Sequence, residues 1–266
     1  MDPFEKTKAD ILADLGVVDY SPKGSVDHSI IPLINLVNSN KDLVTTSSCS
    51  GRVSVFVEGC KNGTVKVGGK GEGGHWLFTT HSAEDLVPGW RKGLDAYRTN
   101  EDIITDDMNP KRYVLYKFEP FILHVKCRNH EAAKRLFSLA LFCGFRESGI
   151  GSNENVAIRT SMRIDAPLGY LKGDRIHRFA SDDYLAELDS LALELFAKNT
   201  ERIQRLADHI TGFTVPETKK VQSRQEKALQ DRLKGLERQK NSEKKEVRAN
   251  TDTETETEPE LGNLFI

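Results

Sequence analysis

Long hydrophobic runs are missing from the 266 residues. Without an apolar stretch of about 18 residues, no transmembrane helix is expected. The opening residues, Met1 to Lys8, carry acids and no apolar run, so they do not resemble a secretory signal. An intracellular protein is expected. Cysteine is scarce: Cys49, Cys60, Cys127 and Cys143 are the whole complement, and none forms a CxxC pair. A disulfide framework is therefore not expected. Two phosphate-binding signatures are also absent. Lys70 is followed by Gly71, so there is no GxxxxGK[ST] loop, and no GxGxxG follows a strand, which removes the usual Rossmann signal. Positive charge is not in surplus either. A net charge of −2 argues mildly against a broad nucleic-acid surface.

That total hides a segregation. Residues 217–250 hold 11 basic and 6 acidic side chains, a net of +5, while residues 251–266 hold 5 acids and no base. The two blocks cancel, so any RNA site in the remainder must be a local patch. The expected organisation is a folded domain over 1–216, a charged helical extension over 217–250 and an acidic disordered tail over 251–266. The Thr-Glu alternation of the tail has nothing to bury. The extension reads either as a solubilising appendage or as a basic helix that grips RNA phosphates.

Within 1–216 the patterns predict an α+β fold with a mixed, largely antiparallel sheet flanked by helices, in two loosely similar halves. Helices are expected over residues 4–15, after a cap at Asp27, over 130–143 behind Asn129, and from Ser181 onward, where Leu185, Leu188, Ala192, Leu195, Ile203, Leu206 and Ile210 recur at helical spacing. A short helix is expected after Ser82, limited by Pro88-Gly89. Strands are expected over 43–47, 52–58, 75–80, 112–118, 121–126 and 156–162, with more extended chain near 168–171. The break in the first pair is placed at Cys49-Ser50-Gly51 and in the second at Pro120. Asn62-Gly63 is a hairpin-turn signal. Five glycines between Gly68 and Gly74 predict a loop, and 149–155 reads as another.

Three segments carry chemistry. Ser47-Ser48-Cys49-Ser50-Gly51-Arg52 packs hydroxyls, a thiol and a guanidinium between two strands, where backbone N–H groups and an arginine can meet a carboxylate or phosphate. A hydrophilic turn explains it equally well. In Lys70 to Trp76, glycines let the backbone approach a flat ligand and Trp76 offers a ring to stack on a base; ordinary core packing is the alternative. If 75–80 is a strand, His75 and Trp76 point to opposite faces. Arg159, Ser161 and Arg163 alternate on one face of a predicted strand, either to bind phosphate or a carboxylate, or merely as its solvent side. A zinc reading through Cys49, Cys60, His75 and His81 suffers from loose spacing.

These three segments, Ser47 to Arg52, Gly69 to Trp76 and Ser161-Met162-Arg163, resemble the wybutosine-synthesis N4-methyltransferase family over residues 4 to 213. The resemblance implies a non-Rossmann enzyme that uses S-adenosyl-L-methionine (SAM) to methylate N4 of a tricyclic guanosine precursor at position 37 of phenylalanine tRNA. It implies Ser48 and His75 as catalytic residues, with His75 the guess for a base. Ser50, Gly51, Arg52, Ser161 and Arg163 are expected at SAM, and Lys70, Trp76, Arg159, Lys126 and Arg128 at the tRNA. No metal is expected. The expected partners are the anticodon arm and, transiently, other enzymes of the pathway. The rival expectation is a non-catalytic RNA-binding module.

Overall fold

The structure, a computed structural model, describes residues 2–14, 25–59, 73–87, 89–97, 112–173 and 175–215, together with Arg232. The chain divides into two units, 1–215 and 216–266, and every element below belongs to the first. Lys70, Cys60, the Asn62-Gly63 turn, the glycine run up to Glu72 and nearly all of the charged extension and tail lie outside the described residues.

Seven antiparallel strands form one sheet flanked by helices, the α+β architecture expected. They are β1 (Leu43–Val57), β2 (His75–Thr80), β3 (Tyr113–Cys127), β4 (Gly149–Ile150), β5 (Asn155–Ile158), β6 (Ile164–Lys172) and β7 (Arg175–Arg178). The helices are α1 (Pro3–Asp14), α2 (Ile31–Ser39), α3 (Gly89–Ala96), α4 (His130–Phe142) and α5 (Asp182–Ile210). Asn129 and Ser181 cap α4 and α5, their side chains accepting from the backbone N–H of Ala132 and Tyr184. No described helix is long and apolar enough to cross a membrane.

The centre of the sheet is β3. Along one edge it pairs with β1 from end to end. Its other edge is shared: β6 takes Tyr113 to Phe118 and β5 takes Leu123 to Lys126. The middle of that edge is left unpaired, and residues 159–163 cross over it from β5 to β6. The same midpoint divides the packing. Tyr116 and Phe118 enter one apolar core with Val53, Val55, Leu168 and Leu188, whereas Phe121, Leu123 and Val125 enter a second with Leu33, Leu136, Ile158 and Leu206. The inward-facing positions of β3 are even before Glu119 and odd after Pro120.

That switch explains where the structure departs from the expected strand breaks. Gly51 and Pro120 do not end strands; they face each other within two continuous ones. Pro120 has no N–H to lose from the ladder, and Gly51 takes φ +100°, a conformation open to glycine. A Cβ at Gly51 would meet Phe121 N at 3.1 Å and Glu119 O at 3.2 Å. The strand bends here and the pairing continues. On the helical side α5 runs across both cores, and Asn199, between them, fills the waist. Its side-chain carbonyl accepts from Phe121 N at 2.8 Å and its amide donates to Ser50 O at 2.8 Å.

Three further expectations are corrected. The predicted strand over 156–162 stops at Ile158, because the chain must then cross to β6; Arg159, Ser161 and Arg163 therefore sit on a connection and not on one strand face. Ser82 Oγ accepts from Glu84 N, but it opens a turn, and the helix begins only at Gly89. Asp27 precedes a short 3-10 turn and makes no side-chain cap. Its carboxylate is used elsewhere, as described next.

Candidate active site

Residues paired across antiparallel strands share a face. The register therefore says what lies on the sheet face turned away from the two cores. Arg52 stands opposite Glu119, Ser54 opposite Lys117, Phe56 opposite Leu115, Cys49 opposite Ile122 and Ser47 opposite His124. From β2, Trp76 pairs with Phe56. The side chains touch accordingly. The Arg52 guanidinium lies 2.7 Å from Glu119 Oε2 and 5.7 Å from the Trp76 ring centroid. Phe56 meets Trp76 edge-on at 5.2 Å, and Lys117 Nζ, 2.7 Å from Asp165, lies 5.7 Å from the Phe56 ring. Arg163 reaches the same Asp165 at 4.0 Å. Contacts thus link all three sequence segments on one surface.

Trp76 is 39 % exposed, unlike Trp90, which is buried. Ser54, on the same face, is fully buried, and its hydroxyl has no hydrogen-bond partner among the described residues.

At the waist the free edge of β1 carries a second group. Below the end of β2, Ser50 N–H points out of the sheet and donates to Asp27 Oδ2 at 2.8 Å. Asp27 Oδ1 lies 3.7 Å from His81 Nε2, and the Cys49 thiol joins them, with all three donor atoms within 4.8 Å of one another. Asp27 is buried, and His81 and Cys49 are half-buried. These are metal-ligand types, but one Asp27 oxygen is already engaged, and burial pushes the Cys49 thiol up against the opposing pull of the Gly51 backbone N–H. The thiol is therefore protonated near neutral pH and is neither a strong nucleophile nor a ready ligand. What the cluster offers directly is an imidazole beside a buried carboxylate, an arrangement suited to taking up a proton.

The expected residues divide. Ser50 is buried, with its N–H on Asp27 and its carbonyl on Asn199, so it is part of the frame. Gly51 makes the bend. Ser48 is half-buried beside Cys49. His75 pairs with Val57, on the opposite face from Trp76, and its ring lies 5.8 Å from Tyr97; the imidazole near the thiol is His81 and not His75. Ser161 and Arg163 are exposed on the connection. Lys126 is held by Asn153 O and Glu154. Arg128 is bonded to Asp2, Glu5, Asp42 and Lys41 O, with its guanidinium 4.7 Å from the Phe4 ring. It ties α1 to the end of β1. Arg128→Ala should accordingly lower stability by about 2 kcal/mol, since it leaves the buried Asp42 carboxylate uncompensated. Thermal unfolding checks this, and the salt dependence of RNA binding should not change.

Sequence reasoning missed Asp27, Glu119 and His124 and placed His81 only in the zinc reading. Asp27 looked like a helix cap because aspartate before an apolar run usually is one. Nothing local marks a residue whose partner is 23 positions away in sequence.

Residues 6–212 match the family model described as Methyltransferase TYW3. The chain is 43 % identical to the Saccharomyces cerevisiae tRNA wybutosine-synthesizing protein 3, over 89 % of this chain and 94 % of that protein. It is 38 % identical to the Schizosaccharomyces pombe protein of the same name, over 78 % and 86 %. The solved structure of the PH1069 protein from Pyrococcus horikoshii superposes with a TM-score of 0.61 at 30 % identity, covering 78 % of this chain and 95 % of that one.

Proposed function

We infer the reaction from a premise those similarities establish: the chain belongs to the TYW3 methyltransferase family and is a SAM-dependent methyltransferase. The proposed substrate is tRNA. The proposed reaction is methylation of N4 in the tricyclic precursor of wybutosine at position 37 of phenylalanine tRNA, as the names of the fungal relatives suggest.

The residues of the outward sheet face suit the cofactor. SAM supplies a methyl group already activated on a sulfonium. Its adenine needs a flat partner, its carboxylate a cation and its positive centre an acid. Trp76, Arg52 and Glu119 are those three groups, with Arg52 in reach of both the ring and the carboxylate. The protein must then hold the accepting nitrogen in line, exclude water and remove a proton. His81 is assigned the proton and Asp27 the task of orienting and favouring the imidazolium, with Cys49 lining the approach; Ser48 pairs with the core residue Leu123 and so lies on the opposite face. The observation that carries this assignment is the cluster of Asp27, Cys49 and His81 at the strand bend.

Incubation with SAM and phenylalanine tRNA from cells lacking this chain, followed by mass spectrometry of the nucleosides, tests the reaction. One added methyl group on the tricyclic base supports it; transfer to another base, or none, overturns it. The cofactor assignment has its own check. Trp76 is the exposed one of two tryptophans, so SAM should quench intrinsic fluorescence. Trp76→Phe should lose the quench and weaken SAM binding about tenfold, the order of one aromatic stacking contact. Calorimetry that finds unchanged affinity would move the adenine elsewhere.

A further inference from the structure

The outward face continues past the methyl-transfer cluster toward β5, and a second group stands there. Ser47 Oγ lies 2.7 Å from His124 Nδ1. On the other side His124 pairs with Ala157. Arg159 follows Ile158, the last β5 residue paired with β3, and its charge is close enough to act on the His124 ring. The Arg159 backbone is anchored at both ends: its N–H donates to Ser148 Oγ and its carbonyl accepts from Glu147 N. Its side chain is exposed and makes no hydrogen bond or ion pair among the described residues.

The charges on this face are unevenly matched. Glu119, Asp165 and Glu154 are taken by Arg52, Lys117 and Lys126. Among the described residues, that leaves Arg159 as an unmatched cation, with Arg163 at the limit of pairing distance from an aspartate already bound to Lys117. Burial, and then the nearby Arg159 charge, holds His124 below the usual imidazole range, so the ring is neutral near pH 7. A neutral imidazole carries one proton. The clamp uses the tautomer in which the Ser47 hydroxyl donates to Nδ1 and the ring proton sits on Nε2, free to donate to a ligand.

We propose that Arg159 and His124, the latter held by Ser47, form an anion clamp for a backbone phosphate of the RNA flanking the base to be methylated. This rests on the methyltransferase reading given above and adds the residues that position the polynucleotide. A guanidinium and a neutral N–H side by side on an open sheet face match a phosphodiester. Cys49 and Ser47 are two positions apart on β1, about 7 Å, close to the spacing of successive phosphates along a strand. A base drawn out of a stacked loop must have its backbone fixed on either side, because unstacking opposes insertion. The carboxylate of SAM is the other anion to consider, but the cation assigned to it is Arg52, 5.7 Å from the Trp76 ring.

Filter binding of precursor phenylalanine tRNA across a range of salt, with Arg159→Gln, His124→Ala and His124→Gln, tests the clamp. Circular dichroism verifies that each variant is folded, and calorimetry measures its SAM affinity. Arg159→Gln should weaken tRNA binding about tenfold and flatten the slope of log affinity against log salt by about 0.7–0.9, one phosphate contact. His124→Ala should weaken binding about fivefold, with partial rescue by His124→Gln, which restores an amide donor. SAM affinity should be unchanged, as should kcat at saturating tRNA. Lys198→Gln, on the far side of the molecule in α5, should leave the slope alone. If wild type binds tRNA and Arg159→Gln binds it identically, the clamp is wrong while the methyltransferase reading stands. Loss of SAM affinity with tRNA binding intact would reassign the pair to the cofactor carboxylate and equally overturn the clamp. If the wild-type chain binds no precursor tRNA at all, the underlying reading fails first.

Discussion

His81→Ala should lower kcat for methyl transfer by about 10²–10⁴-fold, the range for loss of a positioned general base. Asp27→Asn should lower it too, at the smaller end of that range. The asparagine can still accept from Ser50 N–H, so the strand edge keeps its hydrogen bond and only the negative charge beside His81 is lost. SAM affinity by calorimetry should be almost unchanged in both variants. The pH profile separates a chemical role from a structural one. A base acts when neutral, so wild-type kcat/KM should show an acidic limb, rising with pH and then levelling off, if an imidazole takes the proton. His81→Ala should lose that acidic limb. His75→Ala should keep both rate and limb, because His75 sits on the other face of β2. An acidic limb that survives in His81→Ala would place the base elsewhere.

Asn199→Leu should be among the most destabilising single changes in the chain. Asn199 is buried in the middle of α5 and satisfies two backbone groups at the strand bend, Phe121 N–H and Ser50 C=O. A leucine of similar size leaves both unpaired. Each buried orphan costs about 1–3 kcal/mol, so the loss should be about 2–6 kcal/mol. For a domain of this size that is a fall in Tm of roughly 4–24 °C. The effect should not stay confined to stability. Ser50 is held from two directions, by Asn199 through its carbonyl and by Asp27 through its N–H. Releasing one side frees the segment that carries Cys49 and Arg52, so the folded fraction should also show lower kcat. Asn199→Asp keeps the acceptor for Phe121 N–H but turns a carboxylate toward the Ser50 carbonyl. It should not rescue. A melting curve for Asn199→Leu that overlays wild type would remove the plug from the account.

Much of the architecture was legible because periodicity and caps are local. Asn129 and Ser181 mark α4 and α5, and the span 75–80 is β2 residue for residue. The strand breaks were misread for one physical reason. Gly51 and Pro120 each look like terminators alone, yet they neutralise each other when paired: the glycine supplies the bend and the proline needs no ladder bond. Pairing between positions 51 and 120 cannot be seen from either end. The same holds for the site. The hydroxyl-rich motif and Trp76 stood out by composition, and the structure places Arg52 against that ring. Asp27 and His81 did not stand out, because an aspartate before a helix and a histidine after a strand are ordinary in sequence. They acquire meaning only where the free edge of β1, beyond the end of β2, brings them to Cys49. Asn199 was passed over for a similar reason: a polar residue within the long amphipathic helix reads as solvent-facing until the backbone groups it meets are known.

The most direct measurement is mass spectrometry of phenylalanine tRNA from cells that lack this chain, complemented with wild type or with His81→Ala at equal protein level. Wild type should convert the tricyclic precursor to its methylated form, and His81→Ala should leave the unmethylated precursor to accumulate. Complete methylation by His81→Ala would contradict methyl transfer at the Asp27, Cys49 and His81 cluster.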